Sequence, residues 1–202
     1  MAAHAHGHWK RRLASVARWS HIYISMLSCA LVLFFALTGI TLNHAERFGQ
    51  NPRQHQVKDR LQTAWVQTDD ARVARLEIVE HLRSHHGVKG AMSDFRIDED
   101  QCVVSFKGPG YTADAFITRA TGDYELTEMR MGLVAILNDL HKGRDTGGAW
   151  SRVIDISSVL LALVSLTGLL LMAWIRRYRL SGYVLAGAGT VAIYLIYLLA
   201  VP

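Results

Sequence analysis

Residues 22–42 read IYISMLSCALVLFFALTGITL, a run without a single charged side chain. An α-helix needs ~20 consecutive apolar residues to cross the ~30 Å hydrocarbon core of a bilayer, and this run meets that length. Two more do so: ISSVLLALVSLTGLLLMAWI over residues 156–175 and YVLAGAGTVAIYLIYLLAVP over 183–202. The chain has 202 residues, 50 % of them apolar, and it is the gathering of these into three blocks that decides the class. The expected fold is an integral membrane α-helical protein with three transmembrane helices and a soluble domain inserted between the first two.

Basic residues close to a span favour the cytoplasmic side. Lys10, Arg11, Arg12 and Arg18 precede the first run, and Arg176, Arg177 and Arg179 fill the turn between the second and third. Both clusters fall on one side if each run crosses, so the N-terminus is expected in the cytoplasm and residues 44–150 outside it. Trp19, Trp174, Tyr178 and Tyr183 lie at the same level, where amphipathic rings favour the headgroup region. A cleaved signal peptide is the competing reading of the N-terminus, but the apolar run is long and no small-x-small site follows it. The net charge of +5 belongs to these flanks, where anionic lipid is the natural partner; no nucleic-acid binding is expected. Cys29 sits in a span and Cys102 stands alone outside, which excludes a disulfide framework.

Between the spans, residues 45–67 show little periodicity and read as a linker. Asp69 or Asp70 then offers an N-cap, and Val73, Leu76, Ile78, Val79 and Leu82 recur at helical spacing up to about His86, with Gly87 placed to end the helix. Short alternating runs follow at 95–97, 102–106, 111–118 and 124–126. The separators Asp98-Glu99-Asp100, Gly108-Pro109-Gly110 and Thr121-Gly122-Asp123 are turn chemistry, which predicts antiparallel hairpins. Helical spacing returns from Met131 to His141 and stops at the run Lys142–Gly148, consistent with a short helix along the outer interface. The domain plan is therefore a tail over 1–20, spans over 21–43, 151–175 and 183–202, a linker and α+β domain over 44–130, an interfacial helix and turn over 131–150, and a cytoplasmic turn over 176–182.

The order of these pieces carries a resemblance. A helix and short strands lead to Thr121-Gly122-Asp123, then Leu140-His141, a glycine-rich turn and Leu166-Thr167-Gly168-Leu169. In the first span His21 lies at the inner end, Leu37-Thr38-Gly39-Ile40 near the outer end and His44 just beyond. Over nearly its whole length the chain resembles the PepSY-associated transmembrane helix family. The resemblance implies a PepSY-like α+β domain in the periplasm of a bacterial inner-membrane protein. Some relatives reduce ferric siderophores and carry b-type haem between histidines at helix ends, so the implied cofactor is haem b.

A b-type haem requires axial imidazole nitrogens. His44 and His141 are the expected pair, with Arg144 or Arg152 facing the propionates; alternatively, His44 only satisfies helix-end carbonyls. His21 lies 23 residues, roughly 35 Å of helix rise, from His44, so the two share no haem; it either ligates with a further donor such as His8 or snorkels to the interface. Asp155 either orients a ligating imidazole or interacts with the first-turn dipole of its helix. The Thr-Gly pairs at 38–39 and 167–168 suit close helix contact. His81 and His85, at i and i+4 with His86 beside them, have metal-chelating spacing but no carboxylate in an HExxH arrangement; surface histidines are the bland reading. His4, His6 and His8 form an alternate-residue tract that either binds metal or is a plain tail.

No phosphate-binding glycine loop and no nucleophile with an assigned base is present, so hydrolase and kinase chemistry has no support. The expected function is a haem-binding redox component for extracytoplasmic iron, acting on a ferric siderophore, alone, as a homo-oligomer or within a larger membrane reductase. The rival expectation is a non-enzymatic, membrane-anchored module that binds a periplasmic protein or restrains a protease.

Overall fold

A computed structural model describes residues 2–48, 52–67 and 69–202, without the side chains of residues 2–8 and 10. The tract His4, His6 and His8 thus lies outside the described side chains. The chain forms two compact units, Met1–Leu33 with Asp155–Pro202, and Phe34–Ile154.

Helix α1 spans Ala2–Asn43, α4 spans Gly147–Met172 and α5 spans Arg179–Ala200. All three contain stretches long and apolar enough to cross a membrane: Arg11–Asn43, Gly147–Met172 and Arg179–Ala200. Their boundaries depart from expectation at several points. Residues 2–20, read as a tail, continue the first helix, since neither a proline nor a glycine pair interrupts them. The second helix begins at Gly147 instead of 151, because glycine is tolerated where the first helical N–H groups need no intrahelical partner. Asp155 consequently sits beyond the first turn, out of reach of the N-terminal dipole, which falls off within that turn.

The second unit is built on a five-stranded antiparallel sheet of order β1-β5-β4-β3-β2. The strands are β1 (Arg53–Arg60), β2 (Ala91–Ile97), β3 (Gln101–Gly108), β4 (Tyr111–Thr118) and β5 (Asp123–Arg130). Strands β2 to β5 follow the expected runs, each hairpin closing where the turn residues stand. Strand β1 replaces the expected linker. Its sequence, RQHQVKDR, has polar residues on both faces and shows no alternation; it joins the sheet through its backbone, pairing Arg53 with Arg130 and Arg60 with Asp123.

Helix α2 spans Arg75–His86 and lays Ile78, Val79 and Leu82 on the sheet face formed by Cys102, Val104 and Phe106 of β3, Ala113, Ala115 and Ile117 of β4, and Tyr124 and Leu126 of β5. The period of two along these strands sends their other side chains outward. Burial of a side chain the size of Phe106, Ile78 or Leu82 contributes about 1.5–3 kcal/mol each. The helix starts at Arg75, not at Asp69 or Asp70. Asp70 opens a 3-10 turn to Arg72 and its carboxylate is held 2.8 Å from the Arg119 guanidinium, which removes it from a capping role. The expected stop at Gly87 is present: with φ +68° it takes the left-handed position and donates its N–H to the Arg83 carbonyl.

Helix α3 spans Leu133–Lys142 and docks on the β3–β4 turn. Gly110 donates its N–H to Asp139 Oδ2 at 2.9 Å, and its carbonyl accepts from Met131 N–H at 2.8 Å. Trp150 Nε1–H donates to the Leu140 carbonyl at 2.8 Å. Thr41 on α1 donates to Asn138 Oδ1 at 2.9 Å, so the C-terminal end of α1 is tied to α3 by a half-buried polar bond.

Candidate functional site

Two histidines are held in the same way, one in each unit. In the second unit, Thr38 Oγ1 lies 2.6 Å from the Phe34 carbonyl and 2.7 Å from His141 Nδ1. A threonine hydroxyl has one proton, and here it goes to the carbonyl. Its lone pair must then accept from His141 Nδ1–H, which makes Nδ1 a protonated nitrogen and leaves Nε2 unengaged by the threonine. In the first unit, Thr167 Oγ1 donates to the Leu163 carbonyl at 2.7 Å and stands 2.9 Å from His21 Nδ1. The same argument gives His21 a protonated Nδ1. Each ring also lies against the glycine that follows its threonine: a Cβ on Gly39 would meet His141 Cε1 at 3.5 Å, and one on Gly168 would meet His21 Cε1 at 3.3 Å. The two Thr-Gly pairs are thus imidazole seats as well as places of close backbone approach.

Neither Nε2 has a hydrogen-bond partner among the described residues. Neither is among the buried unpartnered atoms, which are Ser25 Oγ and Arg83 Nε, so both reach the molecular surface. An imidazole with one nitrogen fixed by the protein and the other free is the arrangement in which histidine serves as a ligand.

His44 is placed differently. Its Nδ1 is 3.2 Å from the Ile40 carbonyl, one turn back, which is the helix-end reading. Six residues separate it from Thr38, about 120° around the helix axis, so its ring does not share the face on which His141 is seated. The described geometry brings the two imidazoles to different partners, with His141 edge-on to Phe35 at 5.2 Å. His44 and His141 thus have different partners, the Ile40 carbonyl and Thr38 Oγ1. Arg152 donates Nε–H to the carbonyl of Gly148 on its own helix at 3.3 Å, and Asp155 is exposed.

Arg144 stands elsewhere, at a cleft of about 570 Å³ in the second unit. Leu42 and Ala45 close it at the end of α1, Lys107, Gly108 and Tyr111 at the β3–β4 turn, and Asn138, Lys142 and Arg144 along α3. Lys107, Lys142 and Arg144 have no ion-pair or hydrogen-bond partner for their side chains among the described residues. Asp139 and Asp145 share the lining, but the Asp139 carboxylate already accepts the Gly110 N–H. The cleft has the size typical of small-molecule sites and three uncommitted cations against two carboxylates. Lys107 and Lys142 carry no motif in the sequence and were not expected here; only the fold brings the hairpin turn to α3.

His81 and His85 stack at 5.2 Å on the last turns of α2. The sheet adds what the sequence lacked: Asp59 of β1 and Tyr124 of β5 are register partners and face the histidines. Asp59 Oδ2 is 3.4 Å from His85 Nε2 and 3.8 Å from His86 Nε2. The backbone N–H of Arg60 and the neighbouring imidazoles hold the Asp59 carboxyl below its ordinary range, while burial pushes the Tyr124 phenol up.

A family model described as PepSY_TM-like matches residues 15–202. No curated protein and no solved structure matches the chain.

Proposed function

The chain belongs to the PepSY_TM-like family, and from that premise we propose that it is a bacterial inner-membrane protein whose periplasmic segment, residues 44–150, binds a small anionic ligand in the cleft between α3 and the β3–β4 turn. The reading rests on Lys107, Lys142 and Arg144, three cations that converge on one cleft without a protein partner. Unpaired cations in a concave site favour an anion through Coulomb attraction that low dielectric walls strengthen. Leu42 and Ala45 place apolar surface at the floor. A ferric siderophore or similar carboxylate chelate of iron meets both demands of size and charge. The positive flanks at residues 10–18 and 176–179 support a cytoplasmic N-terminus and the outward placement of the cleft.

Calorimetric titration of the detergent-solubilised full chain with ferric citrate tests this. Saturable binding is expected that weakens as salt rises, and the Lys142→Glu, Arg144→Glu pair of substitutions is expected to weaken it about tenfold or more, equivalent to about 1.4 kcal/mol. Binding that ignores both salt and the substitutions would remove the cleft from the account.

A second reading, a haem-dependent redox component, is favoured by one observation: the two threonine-seated imidazoles with free Nε2 atoms. It moves the ligand assignment from the His44–His141 pair to His141 and His21, each of which would offer its Nε2 to a haem. Haem b would contribute one-electron transfer; the chain contributes the fixed Nδ1 and the ring orientation. Protein purified from cells supplied with haem precursor is expected to show sharp bands on reduction, lost in His141→Ala and kept in His44→Ala. A colourless folded protein rejects this reading and leaves the binding function standing.

A further inference from the structure

We propose that His81, His85, His86 and Asp59 form a binding site for a divalent transition-metal cation of the zinc class, on the face of the soluble domain where α2 ends over β1 and β5. Nothing in the cleft function requires this site, and its donors are separate from the cleft lining.

Four elements of geometry carry the inference. First, the Nε2 atoms of the three imidazoles converge on two paired side chains, those of His85 and His86 on Asp59 and those of His86 and His81 on Tyr124. His85 and His86 Nε2 lie 3.4 Å and 3.8 Å from Asp59 Oδ2, and His86 and His81 Nε2 lie 2.5 Å and 3.4 Å from Tyr124 Oη. Tetrahedral coordination with bonds near 2.0–2.1 Å sets adjacent donors about 3.4 Å apart, and the two imidazole–carboxylate distances, 3.4 Å and 3.8 Å, are close to that spacing. Second, the ring centroids of His85 and His86 are 5.0 Å apart with their planes at 90°, close to the separation of about 5 Å that imidazoles adopt around one tetrahedral ion; the His81 and His85 rings, 5.2 Å apart, are stacked at 16°, so one of them must turn to share the ion.

Third, the electrostatics favour a cation. The Asp59 carboxylate is the fixed negative charge of the cluster, and the histidines occupy the last turn and a half of α2, where the helix dipole is negative. Fourth, the site has an entry path and a rigid wall. The His85 side chain is 61 % exposed and that of His86 12 %, so an ion enters past His85 and meets donors fixed by the sheet. Three imidazoles with one carboxylate suit zinc and its neighbours over magnesium or calcium, which take oxygen ligands.

The donors are not drawn together as a ready-made metal-binding set. Binding requires the exposed His85 ring to rotate inward and His86 to exchange its bond to Tyr124 for the metal. Tyr124 keeps its contact with Asp59 Oδ2 at 3.4 Å and acts as a positioning residue behind the carboxylate. The helical spacing of His81 and His85 gives half of the set; His86, Asp59 and Tyr124 are supplied by the fold.

The test must first remove the N-terminal tract, because histidines at alternate positions such as His4, His6 and His8 can bind metal ions by themselves. In full-length protein carrying His4→Ala, His6→Ala and His8→Ala, titration with cobalt(II) is expected to produce the visible absorption of a four-coordinate ion at one equivalent, bleached by zinc(II). His85→Ala, a substitution at an exposed ring that leaves the core intact, and Asp59→Asn are each expected to reduce zinc affinity at least tenfold. His55→Ala, on the same strand, is expected to leave it unchanged. Absence of one-equivalent binding in the tail-substituted protein overturns the proposal, and so does binding that survives both His85→Ala and Asp59→Asn.

Discussion

Replacing Phe106 by alanine is expected to cost the soluble domain about 3–5 kcal/mol, a large share of the total stability of an ordinary domain. Phe106 is fully buried toward the end of β3 in the core cluster that includes Leu82 and Ile78 of α2, with the Arg83 guanidinium 5.7 Å from its ring centroid. Truncation removes the contact that fixes α2 on the sheet and strips the cation of its aromatic face. Neighbouring Val104 and Ala113 are too short to fill the space. Chemical denaturation of the full chain in detergent, read by hydrogen exchange at the β3 to β5 amides, measures the loss. A change below ~1 kcal/mol would show that this sheet face is not the core.

Gly110→Val is the second large effect. Gly110 sits at φ +63°, and a Cβ there would lie 2.5 Å from Ile136 Cγ1 and 3.3 Å from the Ile136 backbone nitrogen. The left-handed backbone costs a non-glycine residue roughly 1–2 kcal/mol, more when β-branched. Overpacking against α3 adds about 1–3 kcal/mol. The combined loss of about 2–5 kcal/mol falls on one junction, where Gly110 also bonds Asp139 and Met131. Anion binding in the cleft is therefore expected to fall with stability, because Lys107 comes from the turn and Lys142 and Arg144 from the end of α3. Gly132→Ala, where a Cβ meets nothing within 4 Å, is the matched control and should leave both unchanged.

What the sequence discloses and what it hides divide along physical lines. The three long apolar helices are legible because a length and a composition suited to hydrocarbon are imitated by nothing else in the chain. Strands β3 to β5 are legible because one face is buried, which writes a period of two into Cys102, Val104, Phe106 and Tyr111, Ala113, Ala115, Ile117. Strand β1 buries nothing fully, so its pairing with β5 leaves no trace in the residue pattern. The end of α2 was read from Gly87, whereas its start was not, since Asp70 turns out to serve Arg119.

The candidate sites show the same division. His21, His141, His81 and His85 were singled out by residue type and place in the helices, but their partners depend on helical phase and on strand register. His141 is expected to pair with His44, yet the side chain that meets it is Thr38. The motif Leu-Thr-Gly, read as a packing device, supplies the hydroxyl that holds each imidazole's Nδ1. Asp59 lies in a stretch whose sequence reads as a linker, and only its pairing with Tyr124 brings a carboxylate to the histidines.

The place of β1 in the sheet has a further consequence, for the order in which the domain assembles. Strands β2 to β5 form a meander whose hairpins close over a few residues, and α2 precedes them directly in the chain. Strand β1 is synthesised before all of these but pairs with the last, joining Arg60 to Asp123 and Arg53 to Arg130. Contacts of such large sequence separation form slowly, because the intervening chain must be closed into a loop before any bond rewards it. As the ribosome delivers the chain from its N-terminus, β1 must wait until β5 has emerged. The strand made first is therefore the last to lock, and it is the one that carries Asp59.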